Sequence, residues 1–276
     1  MLPKGDDNPA LLRVENLEKR FERRNALGWK DSVAALRGVS FSLFPQTTLA
    51  LVGESGSGKS TLALCLACLE KPTSGSIWFG GKEITSLSEP ELRKVRPQIQ
   101  MVFQDPANSL NPRLTAVEIV SEPLLIQRRF DKALRHARAC ALLERVGVSV
   151  EKGRQRPDEF SGGQRQRLAI ARVLALEPKV LILDEALSAL DSSVQAQIVN
   201  LLLDLQSLLG LTYLFITHDF AMAAHLSDQI AVMDEGQIVE MGAADEVLRG
   251  AKHPATKRLM AAAMEFKTSL GTLRVV

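Results

Sequence analysis

The chain has 276 residues, 46% of them hydrophobic and 24% charged, the balance of a globular protein with room for one large domain or two small ones. Its formal charge of +2 is too close to neutral to argue for nucleic acid as a partner, and clusters such as Arg23-Arg24 and Arg128-Arg129 read as solvated loops. No apolar run reaches the ~18 residues of a bilayer span. The opening MLPKGDDNPALLRVENLEKR also lacks the apolar core of a secretory signal, so the expectation is a cytoplasmic protein that meets any membrane from outside the lipid.

Alternating apolar and polar positions predict strands in LLRVENLEKRF (residues 11–21) and VAALRGVSFSLFPQTTLALV (33–52), with ERRNALGWKDS as a loop between them. The second run closes on TLALVG, a short buried strand entering a glycine-rich loop, and a helix follows from Gly58 to about Glu70. Cys65 and Cys68 form a C-x-x-C inside that helix. A zinc site needs four ligands, and Cys140 with His136 is a speculative complement, so the two thiols read as small core side chains. KPTSG turns the chain, SIWFGGKEI returns as strand, and IQMVF is a buried strand ending at Gln104. Pro106, Pro112 and Pro123 punctuate the next stretch, in which AVEIVSEPLLIQ and DKALRHARACALLERVGV predict helices of an insert over about 106–172. Helix FSGGQRQRLAIARVLA, strand VLILDE, helix SSVQAQIVNLLLDLQSLLG, strand TYLFITHD and helix AMAAHLSD come next. IAVMDEGQIVEMG makes a hairpin around Glu235-Gly236, and a helical tail starts near Ala243. Strands alternating with helices predict an α/β fold with a mostly parallel sheet covered on both faces.

Gly53-Glu54-Ser55-Gly56-Ser57-Gly58-Lys59-Ser60, followed by Thr61, fits G-x-x-x-x-G-K-[ST] with a strand before it and a helix after. The glycines let backbone amides turn inward around phosphates, Lys59 reaches the β and γ oxygens, and Ser60 offers a hydroxyl to Mg²⁺. In LILDE the apolar strand carries Asp184 to the sheet's C-terminal edge, where it holds Mg²⁺ through water. Glu185, one residue on, points at an attacking water as general base. The competing reading of the two carboxylates is a helix N-cap. Gln104 offers its amide to the metal or the water, or is a plain loop glutamine. His218 donates to the γ-phosphate, or is one more structural histidine at a strand end. Ser161 and Gln164 fit an S-x-x-Q capping box. Gly162 and Gly163 are odd in a purely structural cap, since glycine within a helix costs about 1 kcal/mol against alanine, and their smallness admits a phosphate. The nucleotide of the same chain is already held by the P-loop, so this second donor surface is expected to serve another copy. Two chains, head to tail, would give each ATP a P-loop from one and a serine–glycine cap from the other, and a single chain would bind ATP yet hydrolyse it poorly.

Taken together, the P-loop, Gln104 in MVFQDP, FSGGQ, LILDE, SALD (Ser188–Asp191) and His218 resemble the ATP-binding cassette family, in that family's order, from about Leu11 to Met241. The resemblance implies an ABC ATPase domain over 11–245 with an N-terminal antiparallel β subdomain and the helical insert, then a short C-terminal extension over 246–276. It implies that Ser161, Gly162, Gly163 and Gln164 face a partner's nucleotide, that Asp191 sits at the dimer contact, and that Phe21 stacks on adenine, a core position being the alternative. FQDPANSLNPR (Phe103–Arg113), the long loop before AALRGVSFSL and the tail HPATKRLMAA resemble the oligopeptide/dipeptide/nickel importer branch. That branch implies ATP and Mg²⁺ as cofactors, hydrolysis coupled to import, integral membrane permease subunits, and a second ATPase subunit, identical or a sister. It also implies an extracytoplasmic solute-binding protein acting indirectly, no nucleic acid, and a peripheral place on the cytoplasmic face of the inner membrane. An exporter ATPase, or a cassette acting on nucleic acid or ribosomes, is the alternative. Four departures stand out: Phe160 for leucine, Ala186 for proline, Ala255 for an aromatic, and Pro45–Thr48 for a glycine-containing turn. None removes a catalytic group, and without cysteines in the tail no iron–sulfur cluster is expected.

Overall fold

Strand β1 (Leu12–Arg24) pairs antiparallel with β2 (Lys30–Leu43) on one side and β4 (Ser74–Phe79) on the other; β4 turns into the short β5 (Lys82–Glu83). The computed structural model describes residues 9–24, 30–105 and 109–262. Within β1 the buried residues are Leu12, Val14 and Leu17, a spacing that breaks the two-residue period of a strand. A register shift between Val14 and Leu17, with Asn16 at φ 47°, restores the phase, and the Asn16 amide donates to Ser40 Oγ at 2.8 Å. Both strands run further than the apolar alternation suggests. Each extends into the expected ERRNALGWKDS loop, of which residues 25–29 lie outside the described residues, as does Pro106.

The described residues form two compact units, one from those up to Leu92 together with those from Thr212 onward, and one from those between Arg93 and Leu211. The first holds the antiparallel sheet, in the order β2-β1-β4-β5, and a second set of strands in the order β10-β9-β3-β8. Here β3 (Thr48–Val52) pairs parallel with both β8 (Thr212–Thr217) and β9 (Gln229–Asp234), and β10 (Gln237–Ala243) returns antiparallel against β9. Strands covered on both faces should read as unbroken apolar runs, and every residue of β3 and β8 is buried. The turn into β3 places Gln46 at φ 60°, so a non-glycine residue takes the left-handed conformation there. Helix α1 (Lys59–Leu66) stops earlier than Glu70 because Cys68 turns left-handed at φ 56°. Cys65 is buried, and burial pushes its thiol up to about 11, which suits a core side chain rather than a thiolate ligand. Helices α7 (Phe220–Leu226), α8 (Ala244–Arg249) and α9 (254–262) complete this unit; α2 (Glu89–Val95) follows β5 in the chain.

In the second unit β6 (Ile99–Val102) pairs parallel with β7 (Val180–Asp184). Around them lie α3 (Ala116–Ile126), α4 (Lys132–Arg145), α5 (Gly162–Leu174) and α6 (Ser192–Leu209). A Thr115–Glu118 capping box opens α3, which runs through Pro123 at the cost of one helical hydrogen bond. Strand β6 ends at Val102, two residues short of the expected Gln104, since Phe103 leaves the core and is 40% exposed. No helix among the described residues is long and apolar enough to cross a membrane.

Candidate functional site

In the first unit, β3 delivers the chain into the glycine-rich loop and α1 takes it away. Gly58 stands at the helix N-cap with φ 105°, and no side chain caps α1 and no acidic residue lies in its first turn. The amides of that first turn therefore face no built-in anion from a cap. Two glycines of the loop are dictated by neighbours. A Cβ on Gly53 would stand 2.2 Å from the Met233 carbonyl oxygen, and one on Gly58 would stand 2.4 Å from that of Ala35. The tip of the β9–β10 hairpin adds a further tie, since the Gly236 amide donates to the Ser57 carbonyl at 3.0 Å. Lys59 is 4% exposed, and its ammonium donates to the Gly53 and Glu54 carbonyls, each at 2.9 Å. A buried ammonium needs such partners, and these hold it within the curl of the loop. At the end of β8, His218 is exposed between two fixed neighbours. Thr217 Oγ1 accepts from the Asp219 amide at 3.0 Å, and Asp219 Oδ1 caps α7 by accepting from Ala221 and Met222. Phe21, on β1, is 38% exposed with Lys19 Nζ 4.8 Å from its ring centre, so it is a surface aromatic rather than core.

In the second unit, Asp184 ends β7 and is 7% exposed. Glu185 follows with φ 46°, a strained conformation for a side chain of its size. The loop beyond secures it: Ser188 donates to the Glu185 carbonyl from its amide at 3.1 Å and from its hydroxyl at 2.9 Å. Gln104, exposed beyond the end of β6, donates from Nε2 to Glu185 Oε2 at 3.2 Å. Two residues far apart in sequence thus meet at the ends of paired strands, and the amide holds the carboxylate's orientation. At the start of α5, Ser161 Oγ accepts from the Gln164 amide at 3.3 Å and Gln164 Oε1 accepts from the Ser161 amide at 3.2 Å, the full capping box. Asp191 occupies the N-cap position of α6 without its side chain capping that helix.

Of the two glycines inside the Ser161–Gln164 box, Gly163 has a structural cause that sequence reasoning missed. A Cβ on Gly163 would lie 2.5 Å from Val194 Cγ1, and one on Gly162 would lie 3.5 Å from Leu190 Cδ2. The small size of Gly163 lets α5 pack against the segment after SALD, while a methyl group at Gly162 would meet only ordinary van der Waals contact. The only sequence-level signal was the glycine pair itself, inside a helix. One further oddity lies on the same helix: Gln166 is fully buried, and neither its side-chain oxygen nor its nitrogen has a hydrogen-bond partner. Cys140 lies 3.7 Å from His136 Nδ1, and burial raises its thiol above the ordinary value; among the described residues no cluster of three or more His, Cys, Asp or Glu side chains is placed to hold a metal.

A phosphate-type loop, a strand-end Asp–Glu pair, an amide-tethered glutamate and a capped glycine pair on an α/β frame define an ABC ATPase cassette fold. The ABC transporter family model matches residues 36–188, and the chain belongs to that family. Among curated relatives, the glutathione import ATP-binding protein GsiA of Escherichia coli (strain K12) is 49% identical over 258 residues, covering 93% of this chain and 41% of its own length. GsiA of Shigella flexneri serotype 5b (strain 8401) matches to the same extent. The chain thus spans less than half the length of these relatives. Solved structures agree in fold. One is cbiO1 from Clostridium perfringens, part of the ABC transporter complex cbiONQ: 31% identity, TM-score 0.76, covering 97% of this chain and 99% of that one. A dimeric post-hydrolysis state of the cassette MJ0796 bound to ADP and Pi gives 30% identity and TM-score 0.75, covering 84% of this chain and 98% of that one.

Proposed function

We propose that the chain is the ATP-binding subunit of an importer, hydrolysing ATP to drive uptake of a small solute through separate membrane subunits. The observation that carries import is the 49% identity to proteins named for glutathione import; a small peptide-like solute or metal chelate is the cargo class we favour. Hydrolysis draws support from the ADP- and Pi-bound relative and from the Gln104–Glu185 pairing. The P-loop amides from Gly53 to Thr61 and the Lys59 ammonium hold the phosphates. Phe21 stacks on the adenine, and His218 donates to the terminal phosphate. Ser60, Asp184 and Gln104 supply oxygen atoms of the kind a hard cation takes, so the donor set fits Mg²⁺. That ion would neutralise charge on the phosphates. Glu185 accepts a proton from the attacking water, and the Gln104 amide keeps its carboxylate aimed. Ser161, Gly162, Gly163 and Gln164 of a second ATPase subunit, copy or sister, close over the nucleotide, with Asp191 at the contact between chains. The cassette domain spans 11–245, with its helical insert over about 106–172, and 246–276 form an extension. The subunit works at the cytoplasmic face of the membrane, and an extracytoplasmic binding protein delivers the cargo.

The test is Glu185→Gln. Phosphate release should fall about a thousandfold, equivalent to roughly 4 kcal/mol of barrier, while ATP-bound dimers accumulate on size exclusion. Unchanged turnover removes Glu185 from the role of base.

A further inference from the structure

We infer that Arg258, on helix α9, is a positioning residue for the phosphate loop, acting through the side chain of Glu54. The inference rests on the reading of that loop as the nucleotide cradle. Helix α9 is seated by one carboxylate on β10: Glu240 accepts from the amides of Lys252 at 2.9 Å and His253 at 3.0 Å, and from Thr256 Oγ1 at 2.5 Å. Ala255 is 3% exposed and Thr256 is fully buried, so the first turn of the helix is fixed. The same turn carries Arg258 to two acids. Its Nε lies 3.7 Å from Glu54 Oε1, and its terminal nitrogen lies 3.7 Å from Asp234 Oδ2.

Both acids belong to the frame of the cradle. The Glu54 carbonyl is one of the two that receive Lys59, and Asp234 ends β9 just before the hairpin tip that donates to the Ser57 carbonyl. A carboxylate on the second residue of a phosphate loop repels the polyphosphate that the amides attract. Arg258 offsets that charge and ties the loop's first limb to the end of β9. The side chains of Arg258 and Glu54 are 59% and 61% exposed, so the effect is electrostatic, modest and open to salt screening.

The experiment measures binding of Mg²⁺ with a fluorescent ATP analogue to the full chain, at ionic strengths of about 10 mM and about 1 M, where the Debye length falls from ~30 to ~3 Å. Arg258→Ala should weaken binding about three- to fivefold at low ionic strength, and the difference should vanish at high ionic strength. Arg258→Lys should keep most of the affinity. Adding Glu54→Gln to Arg258→Ala should restore it, because the uncompensated charge is gone. In steady-state turnover Arg258→Ala should raise KM and leave kcat unchanged. Wild-type affinity in Arg258→Ala, a loss that persists at high salt, or a loss that Glu54→Gln fails to repair overturns the inference and points to simple helix docking. Failure of the nucleotide reading looks different: the unmodified chain would bind no analogue, or bind it equally with Lys59→Ala, and both proposals would fall.

Discussion

Glu185 combines a left-handed backbone, a tethered carbonyl and an amide partner from beyond the neighbouring strand, and each of these takes away freedom that the general base we propose it to be would otherwise lose on reaching the transition state. The backbone strain persists because Ser188 holds the adjoining turn. Gly163 shows the other side of local constraint. Replacing it with alanine adds helix propensity but drives a methyl group to 2.5 Å from Val194, whose branched side chain has little rotameric choice in a helix. Gly163→Ala should therefore lower the denaturant midpoint, by about 1–2 kcal/mol of stability, and Gly163→Ala with Val194→Ala should recover it. If the single variant is as stable as the parent, the contact with α6 is not what requires glycine at this place.

Among the elements, α9 hangs on Glu240. Burial works against the charge of that carboxyl, but the Thr256 hydroxyl and the His253 and Lys252 amides outweigh it, aided by the Lys252 charge, and hold it below its ordinary value of 4.5. A depressed acid contributes stability that is fully present above its unfolded value and is lost as pH falls through the folded one. Protection of the Lys252 and His253 amides, measured as exchange relative to the unfolded chain at the same pH, should therefore stay high near neutrality and fall on acidification below about pH 4.5, and Glu240→Gln should abolish that step. Protection that does not change with pH would dissociate the latch from the Glu240 charge. Such elements explain how far the sequence could be read. The phosphate loop was legible because strand, glycines and helix are contiguous, and β3, β7 and β8 because full burial writes itself as an apolar run. The Asn16 bulge was hidden, since the alternation continues on both sides of it with only its phase shifted. The end of β6 was overrun because Phe103 extends an apolar run that the chain has already left. The Gly163–Val194 packing, the Gln104–Glu185 tether and the acids around Arg258 depend on tertiary placement that no local pattern encodes.

At the scale of the whole molecule, the Ser161 cap and the phosphate loop belong to a pocket that we propose is shared between chains. For chains that pair with copies of themselves, Lys59→Ala and Ser161→Arg should each be inactive alone, because every pocket then lacks one half. A mixed dimer of the two variants contains one pocket with both halves intact, so an equal mixture should regain about a quarter of the wild-type phosphate release. No recovery on mixing would mean that each chain completes its own pocket. The seat of α9 has a practical side as well. Whatever is fused to the carboxyl end, an affinity tag or a fluorescent reporter, is attached downstream of the helix whose arginine leans on Glu54, so it can drag on ATP binding. Nucleotide affinities compared between differently tagged preparations would then differ through the handle rather than through the cassette.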